Sequence, residues 1–262
     1  MREKCAFLYF GAAELSVQQI PDLFKEESLT MEEKNACMKN VLLIIPAYNE
    51  EKNIKTTVDH VLSHSPGAAY QLDYIVVNDG SRDGTGAVCR REGIRCLPLV
   101  QNLGIGGAVQ TGYLYALQNG YDIAVQFDGD GQHDIASLDA LIEPILQGEV
   151  DFTVGSRFVD GTSDFRSTFM RRLGIRYLSL LIRIVSGGRI KDPTSGYRAA
   201  NRKAIAFLAS NYPADYPEPE SIVALLKKGF RLREVQVNMF ERAAGKSSIS
   251  FWKSIYYMFK VS

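Results

Sequence analysis

Three features are scarce in this sequence, and each absence excludes a class of protein. The 30 Lys and Arg residues equal the 30 Asp and Glu residues, so no overall field favours nucleic acid or an anionic membrane as the principal partner, although a local basic patch is left open. No apolar run approaches the roughly 20 residues that cross a bilayer. The four cysteines lack CxxC or other metal-ligand spacing, which predicts reduced thiols in a cytoplasmic protein.

The chain does contain a regular alternation of apolar strands and amphipathic helices. The predicted strands are 41–45, 74–77, 96–100, 123–127, 152–154 and 231–239, and the predicted helices are 51–62, 85–92, 106–119, 135–146 and 221–228, with an arginine-rich helical stretch near 166–176 and a further helix beginning near Asn201. Near-continuous apolar strands between helices predict an α/β fold with a mainly parallel sheet covered on both faces. Ligands of such sheets bind at the carboxyl ends of the strands.

The chain divides into three parts by composition. Residues 1–37 fit poorly with the α/β pattern and are expected to lie outside the core as an N-terminal extension. Residues 38–248 form the predicted α/β domain. Residues 249–262 are rich in aromatic residues spaced as in an amphipathic helix, which favours either contact with a membrane interface or docking on the protein's own surface.

Polar clusters follow three of the predicted strands, at the edge where a parallel sheet binds ligands. They are Pro46–Glu50, Asn78–Ser81 and Asp128–His133. Each cluster alone is compatible with an ordinary turn rich in Asn, Asp and Gly, and Asp134 is a suitable N-cap for the helix 135–146. Their common position at one edge favours a site.

Asp128 and Asp130 are the strongest chemical signal in the sequence, because two carboxylates two positions apart follow a buried strand. Mg²⁺ and Mn²⁺ accept carboxylate and phosphate oxygens together. The pair therefore predicts half of a metal site whose other half is a diphosphate. The glycine-rich segment 104–107 lacks the dinucleotide-binding spacing, and we expect it to be a tight turn packing a helix near the site.

Other polar segments could contribute to the same edge. Arg157 follows the strand 152–154, and the stretch Asp192–Arg198 joins a carboxylate, hydroxyls and a guanidinium. Glu218 and Glu220 lie on a proline-stiffened segment that could present a general base or start a helix, where acidic residues are favourable. Arg171 and Arg172 could contact phosphate or belong to a solvated helix face.

Taken together, these motifs resemble the family 2 glycosyltransferases, in particular the branch of the dolichyl-phosphate mannose synthases and similar bacterial polysaccharide glycosyltransferases. The resemblance runs in order from about Val41 to Ser248. It rests on the segments Ile45–Glu51, Val77–Ser81, Asn102–Gly104, Asp128–His133, Gly155–Arg157 and Thr194–Arg198.

The resemblance implies a GT-A fold and inverting transfer of a sugar from a nucleotide diphosphate donor. By position, it assigns the nucleoside pocket and ribose contacts to Pro46, Ala47, Tyr48, Glu50 and Asp79. It assigns a bound Mg²⁺ or Mn²⁺ to Asp128, Asp130 and Gln132, with Asp128 also contacting the donor, and it assigns phosphate contacts to Arg157 and Arg242.

The acceptor is left open between a sugar hydroxyl and a lipid-linked phosphate. A hydroxyl needs a general base, for which Asp192 and Glu220 are the candidates; a phosphate is already an anion, and the basic residues Arg171, Arg172, Arg242 and Lys246 favour it. The expected setting is cell-envelope glycan synthesis at the inner face of the membrane, without nucleic acid as a partner. A nucleotidyltransferase and a non-catalytic nucleotide-sugar-binding subunit are the alternatives.

Overall fold

A computed structural model describes residues 38–66, 69–129, 131–158, 169–213 and 216–239. The strands are β1 Lys39–Ala47, β2 Tyr70–Asn78, β3 Cys96–Pro98, β4 Ile123–Gln126, β5 Phe152–Ser156, β6 Arg198–Asn201 and β7 Leu232–Gln236. The helices are α1 Ile54–Ser63, α2 Thr85–Arg91, α3 Gly104–Gln118, α4 Leu138–Leu146, α5 Phe169–Ser186, α6 Arg202–Asn211 and α7 Pro217–Lys227. A short 3₁₀ turn, Ile135–Ser137, leads into α4.

The seven strands form one sheet in the order β3-β2-β1-β4-β6-β5-β7. β1 pairs in parallel with β2 on one side and with β4 on the other, so Leu43 lies between Tyr74 and Val125. β6 is antiparallel to both of its neighbours, β4 and β5, whereas β5 and β7 are parallel. The mainly parallel sheet predicted from the sequence is therefore confirmed, with one reversed strand.

Helices cover both faces of the sheet, as the alternation of β1 side chains requires. Leu42 and Ile44 point to a core shared with α3, α6 and α7. Val41, Leu43 and Ile45 point to the opposite core, shared with α1, α2 and α4. All five side chains are fully buried. The sheet is therefore covered by packed side chains on both faces.

A close approach of α3 to β1 depends on Gly112. A Cβ atom at this position would lie 2.2 Å from Cγ2 of Ile44, a distance that no real contact tolerates. The helix therefore packs against the sheet at a separation that only glycine permits. This packing carries the loop before α3 towards the carboxyl ends of β1 and β2.

The structure departs from the sequence prediction in three places. The segment 104–107, expected to be a tight turn, is the first turn of α3, which begins at Gly104. The pattern predicts a polar turn at Arg198 leading into a helix, but Arg198–Asn201 forms β6 before α6 begins at Arg202, where Asn201 caps the helix by accepting from the Ala204 amide. The helix predicted to begin at Ser221 begins instead at Pro217, so Glu218 and Glu220 both lie in its first turn. The predicted extension 1–37 and the aromatic tail 249–262 lie outside the described residues.

Candidate active site

Three of the predicted polar clusters meet at the carboxyl edge of the sheet. The Asp79 amide donates a hydrogen bond to the Ala47 carbonyl (2.9 Å), and the Phe127 amide donates to the Ile44 carbonyl (2.9 Å). The ends of β1, β2 and β4 therefore lie side by side. The sequence prediction that these clusters share one edge agrees with this arrangement.

The loops after β1 and β2 are joined by side-chain hydrogen bonds. The Asn49 amide donates to Oγ of Ser81 (3.0 Å), and the Arg82 amide donates to Oδ1 of Asn49 (2.9 Å). Asn49 has a positive φ of 58°, a conformation that asparagine tolerates better than most residues. The two loops form one ordered wall at the edge.

The residues predicted to line a nucleoside pocket belong to this wall but differ in accessibility. Pro46 and Ala47 are the last residues of β1 and are buried. Tyr48 comes next and is 42% exposed, so its ring is accessible to a ligand. Glu50 is half-buried, and its Oε2 accepts a hydrogen bond from Nδ2 of Asn53 (2.7 Å).

Asp79 is buried, at 3% exposure, and supports the loop before α3. Its Oδ1 accepts a hydrogen bond from the Leu103 amide (2.7 Å), and its carbonyl accepts one from Nδ2 of Asn102 (3.2 Å). The carboxylate thus connects the end of β2 to the start of α3. Any contact of Asp79 with a ligand would use a side chain that the protein already orients.

Asp128 lies just beyond β4 with its side chain 31% exposed, and His133 is folded back against it. The Asp128 amide donates a hydrogen bond to Nδ1 of His133 (3.0 Å). This bond requires an unprotonated Nδ1, so neutral His133 carries its proton on Nε2, which lies 3.4 Å from Oδ2 of Asp128. The imidazole stacks on Tyr197 at a centroid distance of 4.6 Å. His133 therefore fixes both the backbone and the carboxylate of Asp128.

Glycines permit two close contacts around this carboxylate. A Cβ at Gly196 would lie 2.9 Å from Oδ2 of Asp128, and a Cβ at Gly129 would lie 2.9 Å from the Pro46 carbonyl oxygen. The loop before β6 thus packs directly on Asp128, and the turn after β4 packs directly on the end of β1. The carboxylate is confined between these segments on one side and partly open to solvent on the other.

The predicted metal site is only partly within the described residues. Asp130 lies outside them, and Gln132 is half-buried. Within the described part of the chain, no group of three or more His, Cys, Asp or Glu side chains is arranged to hold a metal ion. Asp128 supplies a partly exposed carboxylate oxygen, which is the donor type that Mg²⁺ and Mn²⁺ prefer. The assignment of Asp128, Asp130 and Gln132 to a metal stays a prediction.

Arg157 and Asp192 form a buried ion pair at the end of β5. Nε of Arg157 donates to Oδ2 of Asp192 (2.8 Å), and Nη2 donates to Oδ1 (3.0 Å). The hydroxyl of Thr194 also donates to Oδ1 (3.1 Å). The Asp192 side chain is fully buried. Its oxygens are engaged, so this geometry favours a positioning role for Asp192 over the predicted role as a base.

The two acidic residues of α7 occupy different surroundings. Glu220 lines an apolar groove between α5 and α7. Glu218 is half-buried, and burial raises the pKa of its carboxyl group; Arg198 lowers that pKa and Asp128 raises it further. Asp128 is therefore within electrostatic reach of Glu218. The sequence pattern favours Glu220, but the carboxyl group whose pKa the charge of Asp128 raises, after the larger effect of burial, is that of Glu218.

Arg198 holds the start of α7 against the loop before β6. Its guanidinium is fully buried and donates to the carbonyls of Ser195 (2.6 Å), Pro193 (2.9 Å) and Glu218 (2.7 Å). These bonds satisfy the cation with backbone carbonyl oxygens. Arg198 therefore holds the backbone of Glu218 at the start of α7, a role that the sequence could not indicate because it depends on β6.

Other predicted residues cannot be placed at the site. Arg242 and Lys246 lie outside the described residues, and Arg171 and Arg172 belong to α5, whose first side chains the structure does not describe. Among the helices that are described, none is both long and apolar enough to cross a membrane.

Comparison with known proteins settles the family. Residues 42–208, more than half of the chain, match the family described as glycosyl transferase family 2. The chain belongs to glycosyl transferase family 2. The resemblance drawn from the sequence motifs is therefore confirmed at the level of the family.

Several named enzymes are similar to most of this chain. One is the UDP-N-acetylglucosamine–dolichyl-phosphate N-acetylglucosaminyltransferase of Methanococcus voltae, 31% identical, covering 76% of this chain and 85% of that protein. Another is the undecaprenyl-phosphate mannosyltransferase of Micrococcus luteus, 31% identical, covering 80% and 87%. The polyprenol monophosphomannose synthase of Mycolicibacterium smegmatis is 29% identical and covers 86% of each chain.

Solved structures agree on the fold. Glucosyl-3-phosphoglycerate synthase from Mycobacterium tuberculosis, in a crystal with Mn²⁺, uridine diphosphate and phosphoglyceric acid, superimposes with a TM-score of 0.61 at 20% identity, covering 85% of this chain and 78% of that one. This likeness supports a GT-A type fold for the family 2 domain. It carries no residue assignment, because the identity is low.

Proposed function

We propose that this family 2 glycosyltransferase moves a sugar from a nucleotide diphosphate donor to a lipid-linked phosphate, with inversion at the anomeric carbon. The observation that carries the proposal is the carboxylate of Asp128, fixed by His133 and Gly196 beside the ends of β1 and β2 and partly open to solvent. The similar enzymes of Methanococcus voltae and Micrococcus luteus are named for dolichyl-phosphate and undecaprenyl-phosphate.

Different residues of the chain would bind the metal and the nucleoside. Asp128 and Asp130, with Gln132, would hold Mg²⁺ or Mn²⁺ against the donor diphosphate. When bound, the metal supplies positive charge that stabilises the departing nucleotide. Tyr48 would contact the base with its exposed ring, and Asp79 would orient the ribose or base from the end of β2.

Positively charged side chains would complete the phosphate contacts. Arg157 and Arg242 are assigned to the phosphates of donor or acceptor, where a planar guanidinium matches the oxygens. Asp192 would keep Arg157 in place through their paired hydrogen bonds. A phosphate acceptor is an anion at neutral pH and needs no general base, so this proposal does not require Asp192 or Glu220 to accept a proton.

The setting proposed for this reaction is the assembly of cell-envelope glycans at the cytoplasmic face of the membrane. The relatives named for polyprenyl phosphates support it, because such carriers reside in membranes. Family membership favours a glycosyltransferase over the nucleotidyltransferase alternative.

The test is a transfer assay with the full chain. Purified protein is incubated with polyprenyl phosphate, Mn²⁺ or Mg²⁺ and, in turn, UDP-N-acetylglucosamine, UDP-glucose and GDP-mannose, and the glycolipid is measured by mass spectrometry. We expect one donor to give product, D128N and D130N to abolish it, and EDTA to have the same effect. The anomeric configuration of the product, read by NMR, tests inversion.

Asp122 provides a matched control. It lies just before β4, at the opposite end of the strand from Asp128, and pairs with Lys39 on the surface (3.2 Å). D122N should retain transfer. Turnover of D128N equal to that of D122N would reject the assigned role, and a wild-type protein that binds a nucleotide sugar without transferring it to any acceptor would support the non-catalytic alternative instead.

A further inference from the structure

Glu234 on β7 holds two consecutive backbone amides of the segment that connects α5 to β6. Its Oε2 accepts a hydrogen bond from the Lys191 amide (2.7 Å), and its Oε1 accepts one from the Asp192 amide (2.7 Å). Consecutive amides that converge on one anion form a concave backbone nest, an arrangement in which main-chain dipoles bind negative charge. The Glu234 carboxylate is the anion of this nest, so it fixes the backbone at Asp192.

The pairing of β7 with β5 places Glu234 close to the end of β5. In this parallel pairing Glu234 lies opposite Val154. The Val237 amide donates to the Ser156 carbonyl (3.1 Å), so the pairing continues to the residue before Arg157. The same two strands therefore fix the position of Arg157 and the carboxylate that holds the neighbouring segment.

Asp192 connects this held backbone to Arg157. Its side chain is short, so the place of the carboxylate follows closely from that of the backbone. The carboxylate is fully buried, and its two oxygens accept hydrogen bonds from Nε and Nη2 of Arg157 (2.8 Å and 3.0 Å). A shift of the backbone at Asp192 would therefore move the guanidinium or break one of these bonds.

We propose that Glu234 is a positioning residue for the transfer reaction and acts on Arg157 through the backbone of Asp192. The inference rests on the proposed contact of Arg157 with a phosphate of the donor or acceptor. Both oxygens of Glu234 are engaged by the loop amides, so its effect on the reaction passes through the guanidinium. A displacement of about 1 Å in a group that positions the substrate can cost about a hundredfold in rate.

This role requires both the two oxygens and the length of the glutamate side chain. E234Q replaces one oxygen by an NH₂ group, which cannot accept a hydrogen bond from the second amide. E234D keeps both oxygens and the charge, but its side chain is shorter by one methylene group and does not reach the segment in the same way. Both substitutions should therefore displace Asp192, whereas a purely electrostatic effect of Glu234 on Arg157 would survive in E234D.

The experiment is a double-mutant cycle on transfer to polyprenyl phosphate by the full chain, using the donor that gives product. R157K is the second substitution, because it keeps a cation beside the buried Asp192 but loses the planar fork. E234Q and E234D should each lower kcat/KM about tenfold or more. The kcat/KM of E234Q/R157K should lie within about twofold of that of R157K, since two residues that act through one group are not additive.

Glu149 supplies the matched control. Its side chain is 48% exposed and forms a surface ion pair with Arg233, the residue before Glu234 on β7. E149Q should keep the wild-type kcat/KM, and E149Q/R157K should match R157K. Circular dichroism and urea unfolding check that each variant is folded under the assay conditions, so that a lower kcat/KM does not reflect a smaller amount of folded protein.

The outcomes separate this inference from the proposed function. If the wild type transfers sugar and E234Q is as active as E149Q, the role of Glu234 is wrong and the proposed function stands. The role is also wrong if the effects of E234Q and R157K multiply, if E234D keeps full activity, or if R157K is as active as the wild type. A wild type that transfers no sugar from any donor rejects the proposed function, and the role of Glu234 falls with it.

Discussion

Arg157 and Asp192 form a two-point hydrogen-bonded ion pair, with Nε and Nη2 of the arginine 2.8 Å and 3.0 Å from the two carboxylate oxygens. Both side chains are almost completely buried, at 6% and 0% exposure. Because water hardly reaches the pair, removal of one side chain would leave the charge of the other buried without a partner.

The first prediction concerns this pair. D192N should lower the free energy of unfolding by about 3 to 5 kcal/mol, the usual cost of leaving a buried charge without its partner. Urea unfolding measures the effect. D122N, which breaks a surface pair, should cost less than about 1 kcal/mol. If D192N keeps its stability but loses kcat with a hydroxyl acceptor at unchanged donor KM, then Asp192 is a base and the positioning role is wrong.

The second prediction compares the two glutamates of α7. Burial and, to a smaller extent, the charge of Asp128 raise the pKa of Glu218, whereas Glu220 faces the groove with α5. E218Q should lower kcat and change its dependence on metal concentration, and E220Q should have little effect on either. The two substitutions remove similar charge from the first turn of the same helix, so the change in helix dipole energy cancels. A larger loss of kcat in E220Q would make Glu220 the functional carboxylate of this helix.

Stability against pH gives an independent measurement on Glu218. Burial raises the pKa of this carboxyl group above its ordinary value of 4.5, so the folded protein binds more protons than the unfolded one just above that value. Stability therefore falls as pH rises through this window. E218Q should be more stable than the wild type at neutral pH, and the difference should shrink as the pH falls to 4.5. Urea unfolding in EDTA at both pH values measures the difference in free energy of unfolding between E218Q and the wild type.

The third prediction concerns Gly196. A Cβ here would lie 2.9 Å from Oδ2 of Asp128 and 3.2 Å from Nε2 of Gln126. G196A should displace the Asp128 carboxylate and weaken Mn²⁺ binding, as measured by calorimetry, about tenfold or more, corresponding to about 1.4 kcal/mol. G196S, with a larger side chain, should weaken it further. Unchanged Mn²⁺ affinity in both variants would separate Asp128 from the metal site.

The fourth prediction separates two roles of Asp79. Its Oδ1 accepts a hydrogen bond from the Leu103 amide, and an asparagine oxygen can accept the same bond. D79N should therefore keep most of the stability but bind the nucleotide donor more weakly, whereas D79A should lose both properties. The hydrogen bond that D79A loses, from the Leu103 amide to the charged carboxylate, contributes about 1.5 to 3 kcal/mol to the free energy of unfolding. Normal donor affinity in D79N would limit Asp79 to its structural role.

Much of this architecture is predictable because it depends on local pattern. The apolar run after Met38 is typical of a buried strand, and β1 indeed has its last seven residues buried. The position of the clusters at the ends of β1, β2 and β4 is expected from the geometry of parallel sheets. Asp134 is predicted to cap the helix 135–146, and its side chain accepts from the Ala136 amide, although it caps the 3₁₀ turn Ile135–Ser137 that leads into α4 rather than α4 itself.

The errors arise where tertiary contacts override local pattern. β6 is only four residues long and is stabilised by pairing on both sides, which no local signal reveals. Proline is well accommodated in the first turn of a helix, so α7 can begin at Pro217. The orientation of Glu218 and Glu220 then depends on where Arg198 holds the helix. That guanidinium reaches the carbonyl of Glu218 only because β6 exists.

The reversed strand also separates two sets of strands within the sheet. Four strands, β3, β2, β1 and β4, lie on one side of β6, and two strands, β5 and β7, lie on the other. Within the sheet, the two sets are connected only through the four residues of β6, Arg198–Asn201. Proteins open locally in contiguous cooperative units. We expect β5 and β7 to form one such unit, so that their amide protons exchange with solvent in concert, ahead of those in β1, and Arg157 leaves the rim of the site together with them.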